Sequence, residues 1–471
     1  MSNPSPETEK AANPEAQVSL YKTRKKIHPR SVTGMFATWR WIFVWLTQLI
    51  YYGLPWLEWN DRQAVLFHLV ERKFYIFGLV LWPQDVFFLA VILIISAYAL
   101  FLFTAVAGRL WCGYACPQTV YTEIFLWIEE KIEGNFSARQ KLDKAPMDAR
   151  KFRLRATKYG VWALFSLWTG FTLVGYFTPI HELWGSFWSW DLGPWETFWI
   201  FFYAAFTYAF AGHLREQVCI YMCPYARFQG AMFDPDTLII TYDPERGEPR
   251  GQRKKGVDPR SIGKGDCVDC GICVQVCPTG IDIRKGLQYE CIGCAACIDA
   301  CDAVMDKMEY RRGLIRYTTE NALARHWGRK EIIAHVIRPR TVIYTLILVA
   351  ITGALLWGIA HKPDLRVNVI RDRAVLAREV EGQVENVYRL QVMNVTERES
   401  RYTVTVNGLD GIRLIGGETI AVGPASTRSF TVGVRVPPDA ATKGSHTIYF
   451  DVKAEHDEKT AVHEKATFLM P

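Results

Sequence analysis

Eight of the twelve cysteines in this 471-residue chain lie in two consecutive runs with the same spacing. The first run reads C-x2-C-x2-C-x3-C-P, and the second repeats it with Asp302 in place of the proline. Thiolates at these intervals can surround an iron–sulfur cube, with a short loop at three of its corners. The runs therefore predict a chain that moves single electrons.

The same spacing in bacterial two-cluster ferredoxins takes the fourth ligand of each cluster from the other run. The sequence therefore predicts two [4Fe–4S] clusters held by two interleaved cysteine sets. The first set is Cys267, Cys270, Cys273 and Cys301, and the second set is Cys291, Cys294, Cys297 and Cys277. Zinc is the alternative, but a four-ligand zinc site leaves the third cysteine of each run unexplained.

The remaining four cysteines form two C-x3-C-P motifs, each with Tyr in the same place and each after an apolar run ending in Ala-Gly. They are Cys112, Cys116, Cys219 and Cys223. On a helix, each pair would share one face at i and i+4. Soft thiolates select Cu(I), zinc or iron–sulfur, and Met222 adds a thioether. We expect these side chains to form a metal site and the catalytic centre; the alternative is a set of buried structural cysteines.

The chain is half hydrophobic, and its apolar residues come in blocks long enough to cross a membrane. Five blocks predict transmembrane helices: Trp39–Leu57, Val86–Val106, Tyr159–Ile180, Thr197–Gly212 and Thr341–Ala360. The stretch Val65–Trp82 is apolar but interrupted by charges, which predicts an interfacial or re-entrant segment.

Lysine and arginine set the predicted orientation of these helices. Ten basic residues lie from Arg109 to Lys158, whereas the stretch from His181 to Glu196 has none. The N-terminus and all twelve cysteines are therefore predicted in the cytoplasm, and the chain after the fifth helix outside. The net charge of +7 fits this bias, so binding to nucleic acid is not expected.

After residue 363 the chain alternates in short strand-like runs separated by turn residues, which predicts an all-β immunoglobulin-like sandwich. The predicted fold is thus a membrane α-helical protein with an inserted ferredoxin-like domain and a C-terminal sandwich. Five parts are expected: a basic cytoplasmic tail (1–34), a four-helix membrane region (35–240), a two-cluster domain (241–335), a fifth membrane helix (336–362) and an external immunoglobulin-like domain (363–471).

This domain order and both C-x3-C-P motifs, in the contexts Arg109–Pro117 and Cys219–Arg227, resemble the cytochrome c oxidase accessory protein CcoG (FixG/RdxA) family. The resemblance covers nearly the whole chain. It implies a bacterial inner-membrane protein that reduces Cu(II) to Cu(I) for assembly of the cbb(3)-type oxidase. It also implies partners: a cytoplasmic electron donor, copper ion and copper chaperones, and oxidase assembly factors, with a homodimer left open.

Two other functions stay open. One is a quinol dehydrogenase of the NapH type, whose members share the motifs but lack the C-terminal sandwich. The other is a non-enzymatic oxidase assembly scaffold with structural clusters. The sequence also leaves open whether the C-x3-C-P cysteines bind copper transiently or hold a permanent cofactor.

Overall fold

The structure is a computed structural model that describes residues 26–372, 377–455 and 460–471. Up to residue 25, the predicted basic tail lies outside the described residues. The N-terminal half is mainly helical. Its helices are α1 (Met35–Gly53), α2 (Val86–Ala107), α3 (Leu110–Tyr114), α4 (Pro117–Glu133), α5 (Phe136–Lys144), α6 (Ala149–Val174), α7 (Ile180–Ser189), α8 (Pro194–Thr207) and α9 (Pro224–Met232). A π-helical stretch, Tyr208–Leu214, continues α8 toward the second C-x3-C-P motif.

Two helical stretches are long and apolar enough to cross a membrane, Pro83–Ala107 and Pro339–Ala360, and their side chains are almost entirely unburied. They coincide with the second and fifth predicted spans. The other three predicted spans coincide with α1, α6 and the α8 region, which are shorter or carry more polar side chains. Length and composition alone therefore support membrane association and two spans.

Between α1 and α2 the chain forms short antiparallel strands. They are β1 (Glu58–Trp59), β2 (Arg62–Gln63), β3 (Val65–His68), β4 (Lys73–Ile76) and β5 (Leu79–Leu81). The stretch Val65–Trp82 forms the three-stranded sheet β3–β4–β5, and its interfacial or re-entrant position stays a prediction. Glu71 and Arg72 lie in the turn between β3 and β4, while Leu66 and Trp82 pack against Met393 of the C-terminal domain.

The cysteine runs lie in a small domain closed by a two-stranded sheet. Its elements are β6 (Ile239–Tyr242), α10 (Pro244–Gly247), α11 (Ile272–Gln275), α12 (Ala296–Met308), β7 (Ile315–Thr318), α13 (Glu320–Ala324) and α14 (Arg329–Ala334). Strands β6 and β7 pair antiparallel, with Ile239 opposite Thr318. The α12 helix continues through Asp302, where a proline would remove a helical N–H. The Asp302 carboxylate instead accepts the Gly313 N–H at 2.9 Å.

The cluster domain is fixed to the first long helix by a shared cap. The Asp299 carboxylate on α12 accepts the N–H groups of Phe36 at 3.3 Å and Ala37 at 2.7 Å, in the first turn of α1. These N–H groups lack intrahelical partners, so a carboxylate there satisfies them and complements the helix dipole. The two domains therefore meet through a buried polar contact.

After α15 (Pro339–Ala360) the chain forms a two-sheet sandwich. Its strands are β8 (Leu365–Arg371), β9 (Arg378–Val380), β10 (Gln383–Asn394), β11 (Ser400–Asn407), β12 (Arg413–Ile415), β13 (Thr419–Val422), β14 (Thr427–Val436), β15 (Gly444–Ala454) and β16 (Ala461–Met470). One sheet has the order β12-β14-β10-β8, with β9 beside β10, and the other has β13-β11-β15-β16. Alternate residues such as Ile448, Phe450 and Val452 fill the core, as strand periodicity requires.

Candidate functional site

The first predicted cysteine set lines a single cavity. Cys267, Cys270, Cys273 and Cys301 surround it, together with Arg284 and apolar residues of α12 and β7. Loops supply the first two cysteines, α11 supplies Cys273 and α12 supplies Cys301. Burial raises the pKa of Cys273 to about 11 and that of Cys301 to about 12. A cationic iron core would compensate the thiolate charge that this pocket otherwise disfavours.

A second cavity is lined by the second set, Cys277, Cys291, Cys294 and Cys297, and also by Cys273. The Cys273 side chain therefore forms part of the wall between the two cavities. Burial raises the pKa of Cys291 to about 12. The guanidinium of Arg40, on α1, lies beside the Cys294 thiol and places a positive charge at this cavity.

These cysteines do not form a site for a single ion. Within the part of the chain that the structure describes, no three His, Cys, Asp or Glu side chains converge closely enough to hold one metal ion. A tetrahedral zinc site would draw its sulfurs to about 2.3 Å from one centre. Four cysteines spread around each cavity instead fit the corners of a larger iron–sulfur cube.

The C-x3-C-P motifs are not continuous helical turns, so the expectation of i and i+4 positions on one helix is wrong. Cys112 lies in α3, but Cys116 is extended, with φ −63° and ψ 127°, just before α4. Cys219 lies in a π-helical turn, and Cys223 is likewise extended before α9. The reason is local, because a proline disfavours helical backbone at the residue before it. In both motifs the second cysteine thus caps a helix whose first residue is proline.

The four motif cysteines nevertheless come together. The thiols of Cys112, Cys116 and Cys219 each have other motif cysteines as charge neighbours, which add to the rise of their pKa, although no three of the four converge on one point. Burial raises the pKa of Cys112 and of Cys219 to about 12, so both are neutral thiols near pH 7 without a metal. Met222 is 53% exposed and lies at the surface beside the second motif.

The first motif packs directly on the second cysteine run. A β-carbon placed on Gly113 would lie 2.8 Å from the backbone N of Cys294. Gly293, with φ +70°, lies equally close to the backbone of Arg109, where a β-carbon would be 3.0 Å from its carbonyl oxygen. Cys112 and Cys219 both contact the apolar cluster that contains Cys294. The second cavity and the motif thiols therefore share a wall.

Two further side chains complete this region, and cysteine spacing gave no signal for either. Gln229 on α9 is fully buried, and its Oε1 lies 3.4 Å from the Cys112 sulfur, which donates to it. Arg109 is 6% exposed, and its Nη2 donates to the Ala226 carbonyl oxygen. No carboxylate lies within ion-pair distance of Arg109 in the described chain. Its positive charge, beside Cys112, Cys219 and Cys291, favours their thiolate forms.

The two cavities differ in exposure. Cys270, of the first set, is exposed, although Cys267 and Cys273 of the same set are buried; the second set has no exposed cysteine. The first cavity therefore reaches the protein surface, while the second lies between it and the motif thiols.

Comparison with known proteins agrees with this geometry. The family described as "4Fe-4S dicluster domain" matches residues 214–320, and "4Fe-4S binding domain" matches residues 89–135. The second match includes the first C-x3-C-P motif. A third family, "IG-like fold at C-terminal of FixG", matches residues 355–471 and covers the sandwich. The immunoglobulin-like prediction for the C-terminal domain is thereby confirmed.

Three curated relatives match most of the chain. Nitrogen fixation protein FixG of Rhizobium meliloti is 39% identical over 456 residues, which cover 90% of this chain and 86% of the relative. Proteins RdxB and RdxA of Cereibacter sphaeroides are 41% and 40% identical over 404 residues, which cover 84% of this chain and 84% and 85% of the relatives. The crystal structure of a FixG-related protein from Vibrio parahaemolyticus is 28% identical, covers 22% of this chain and 95% of that one, and gives a TM-score of 0.21. The chain belongs to the FixG/RdxA family and is an iron–sulfur oxidoreductase.

Proposed function

We propose that this protein reduces Cu(II) to Cu(I) for assembly of a cbb(3)-type cytochrome c oxidase. The observation that carries the proposal is the packing of Cys112 and Cys219, one from each motif, against the apolar cluster that contains Cys294 of the second cysteine set. Soft thiolates favour Cu(I) over Cu(II), so they suit a site at which copper is reduced. Reduction of each copper ion takes one electron, and an iron–sulfur cluster transfers one electron at a time.

Three features of the side chains support transfer from the first cluster to the second and then to copper. When bound, the two clusters would each accept and release one electron. Exposed Cys270 gives a cytoplasmic donor access to the first cavity, and Cys273 separates that cavity from the second by one side chain. Gly113 lets the Cys112 turn approach the Cys294 loop to van der Waals distance. Copper at the thiols of Cys112, Cys116, Cys219 and Cys223 is the substrate that leaves as Cu(I).

We further propose that α1, α6 and the α8 region cross the membrane, which gives five spans. Large apolar side chains on all three are exposed, including Trp45 at 62%, Leu164 at 69% and Phe201 at 60%. A protein in water rarely exposes contiguous apolar surface on this scale. The basic connections support a topology in which the cysteines lie in the cytoplasm and the sandwich in the periplasm of a bacterial inner membrane. There the sandwich is free to contact oxidase assembly factors.

The test uses full-length protein, purified anaerobically and reduced beforehand. It should convert Cu(II) to Cu(I), detected with a Cu(I)-specific chelator. Replacement of Cys219 and Cys223 by Ser should abolish turnover and leave the cluster EPR signals nearly intact, because the cluster cysteines lie elsewhere in the chain. A Ser variant that reduces copper at the unchanged rate would make the reaction incidental to exposed clusters.

The alternatives predict other outcomes in the same assay. A quinol dehydrogenase would reduce its clusters with a quinol and require it for turnover. A scaffold would contain clusters that no donor reduces reversibly. If the Ser variant loses both clusters, the motif cysteines are structural and the copper proposal fails.

A further inference from the structure

A buried arginine with no carboxylate partner among the described residues lies close to the second cysteine set. Arg139, on α5, is 1% exposed, and its Nη2 donates to the Pro29 carbonyl oxygen at 2.7 Å. Its Nε and Nη1 have no hydrogen-bond partner. No carboxylate of the described residues lies within 4 Å of this guanidinium. A buried charge with two unsatisfied N–H groups is costly unless an anion compensates it.

Arg139 lines a cavity of about 270 Å³, here called the arginine cavity, with Arg30, Arg40, Glu123 and Glu130. Arg40 is 7% exposed, pairs with Glu123 at 3.2 Å and also lies beside Cys294, but its Nε has no hydrogen-bond partner among the described residues. Glu130 accepts a hydrogen bond from Ser31 at 2.8 Å. Three guanidinium groups face two carboxylates, so the lining carries one excess positive charge. The cavity therefore suits a single anionic group.

A larger apolar cavity of about 770 Å³ adjoins the arginine cavity and shares Trp41 and Trp127 with it. Side chains of α1, α4 and α6 line it, among them Trp45, Phe165 and Trp168. A cationic compartment beside an apolar compartment matches a ligand with an anionic head and an apolar body. A free anion would account for the first compartment alone.

We propose that these two cavities form one binding site for an anionic phospholipid. The phosphate pairs with Arg139 and Arg40 in the arginine cavity, and the acyl chains lie along α1 between Trp41 and Trp168. Basic pockets at the cytoplasmic ends of membrane helices bind anionic head groups in this way. The inference rests on the membrane embedding of α1 and α6 proposed above.

The site also borders the redox centre. Val276 and Pro278, which flank Cys277, line the arginine cavity. A phosphate there adds negative charge next to a proposed ligand of the second cluster. Lipid binding is therefore expected to lower the reduction potential of that cluster, because negative charge disfavours the added electron.

The experiment measures lipid binding by full-length protein that keeps its clusters. Delipidated protein in detergent is titrated with phosphatidylglycerol, with phosphatidylcholine of identical acyl chains, or with inorganic phosphate. Binding is read by native mass spectrometry and by the shift in melting temperature. The variants are Arg139→Met, which removes the charge while keeping a long side chain, and Arg153→Met as a control at an exposed position on α6.

Phosphatidylglycerol should bind the unchanged protein and the Arg153→Met control at least tenfold more tightly than phosphatidylcholine. The Arg139→Met variant should bind phosphatidylglycerol at least tenfold more weakly than the unchanged protein does. If Arg139→Met does not fold, Arg139→Gln provides the same comparison, because it removes the charge while its side-chain amide can still donate to the Pro29 carbonyl oxygen. Equal affinity for both lipids, full affinity in the variant, or equal stabilisation by inorganic phosphate would overturn the proposal. None of these readouts involves copper, so failure here leaves the proposed reductase activity standing.

Discussion

Gly113 lies against the backbone of Cys294, so close that a single added methyl group would approach its nitrogen and its Cα to 2.8 Å. The neighbouring atoms are backbone, which cannot move aside as the end of a flexible side chain can. This contact joins the first C-x3-C-P motif to the second cysteine run, although the two are 181 positions apart in the sequence. Because backbone atoms make this contact, the path of the backbone fixes the distance between the motif thiols and the second cavity.

The first prediction is that Gly113→Ala slows copper reduction at least tenfold. The methyl group must push the Cys294 loop away from α3, which lengthens the path to the Cys112 thiol. The first cysteine set does not touch Gly113, so the EPR signal of its cluster should be unchanged. Single-turnover copper reduction and EPR on the same sample provide the measurement.

Gly160→Ala on α6 is the matched control, since a β-carbon at Gly160 meets no atom within 4 Å. Alanine also has the higher helix propensity, so this variant should be at least as stable as the unchanged protein. Copper reduction by Gly113→Ala at the control's rate would show that the contact does not set the transfer distance.

Cysteine spacing predicted the two interleaved cluster sets, and the structure places each set around one cavity. Local pattern works here because three of the four cysteines in each set lie within seven consecutive residues, 267–273 and 291–297. The C-x3-C spacing, by contrast, wrongly predicted that Cys116 and Cys223 continue the helical turn of the first cysteine in each motif. The proline after each residue was visible in the sequence, and its effect on the preceding backbone was the stronger signal.

Other parts of the site carry no local signature. Gln229 reaches Cys112 only because α9 folds back beside α3, and Asp299 caps α1 across 262 positions. Such contacts depend on tertiary packing, which spacing does not encode. The sheet at Val65–Trp82 was not predicted for a related reason, since its apolar residues Leu66 and Trp82 pack against Met393 of the C-terminal domain, which is distant in the sequence.

The second prediction concerns metal content. Two four-iron clusters require about eight iron atoms and eight acid-labile sulfides in each chain purified anaerobically. The "4Fe-4S binding domain" match at residues 89–135 includes Cys112 and Cys116, so the iron count also tests whether these two cysteines hold a further cluster. A count near twelve would give those cysteines a permanent cluster. Stoichiometric zinc without labile sulfide would contradict both cluster assignments.

The third prediction is topological. Reporter fusions after Lys151 and after Pro363 should give opposite signals, because basic connections stay in the cytoplasm. Lys151 lies in the basic first turns of α6, and Pro363 follows α15. A fusion after Ser189, at the end of α7, should match Pro363 if α6 spans the membrane. Matching signals at Lys151 and Ser189 would remove two of the five proposed spans.

The fourth prediction is that copper binding weakens as the pH falls. Burial raises the pKa of Cys112 and of Cys219 to about 12, so both thiols are protonated near pH 7. Copper binds the thiolate and must displace each proton, so the apparent affinity should change about tenfold per pH unit for each proton released. Competition with a Cu(I) chelator of known affinity, between about pH 6 and pH 8, measures the slope. A pH-independent affinity would mean that copper binds elsewhere.

The fifth prediction tests the joint between the cluster domain and the first long helix. Asp299→Ala removes the acceptor for the Phe36 and Ala37 N–H groups and leaves them buried beneath α12. Loss of a helix cap typically costs about 1 kcal/mol, so the melting temperature of the protein with its clusters should fall. Asp299→Asn keeps one oxygen acceptor, so the melting temperature of this variant should fall less. Asp306→Ala is the control, because Asp306 lies on the same helix but pairs with exposed Arg312 in solvent, and such pairs contribute little. Equal melting temperatures for Asp299→Ala and Asp306→Ala would show that the cap does not fix the two domains together.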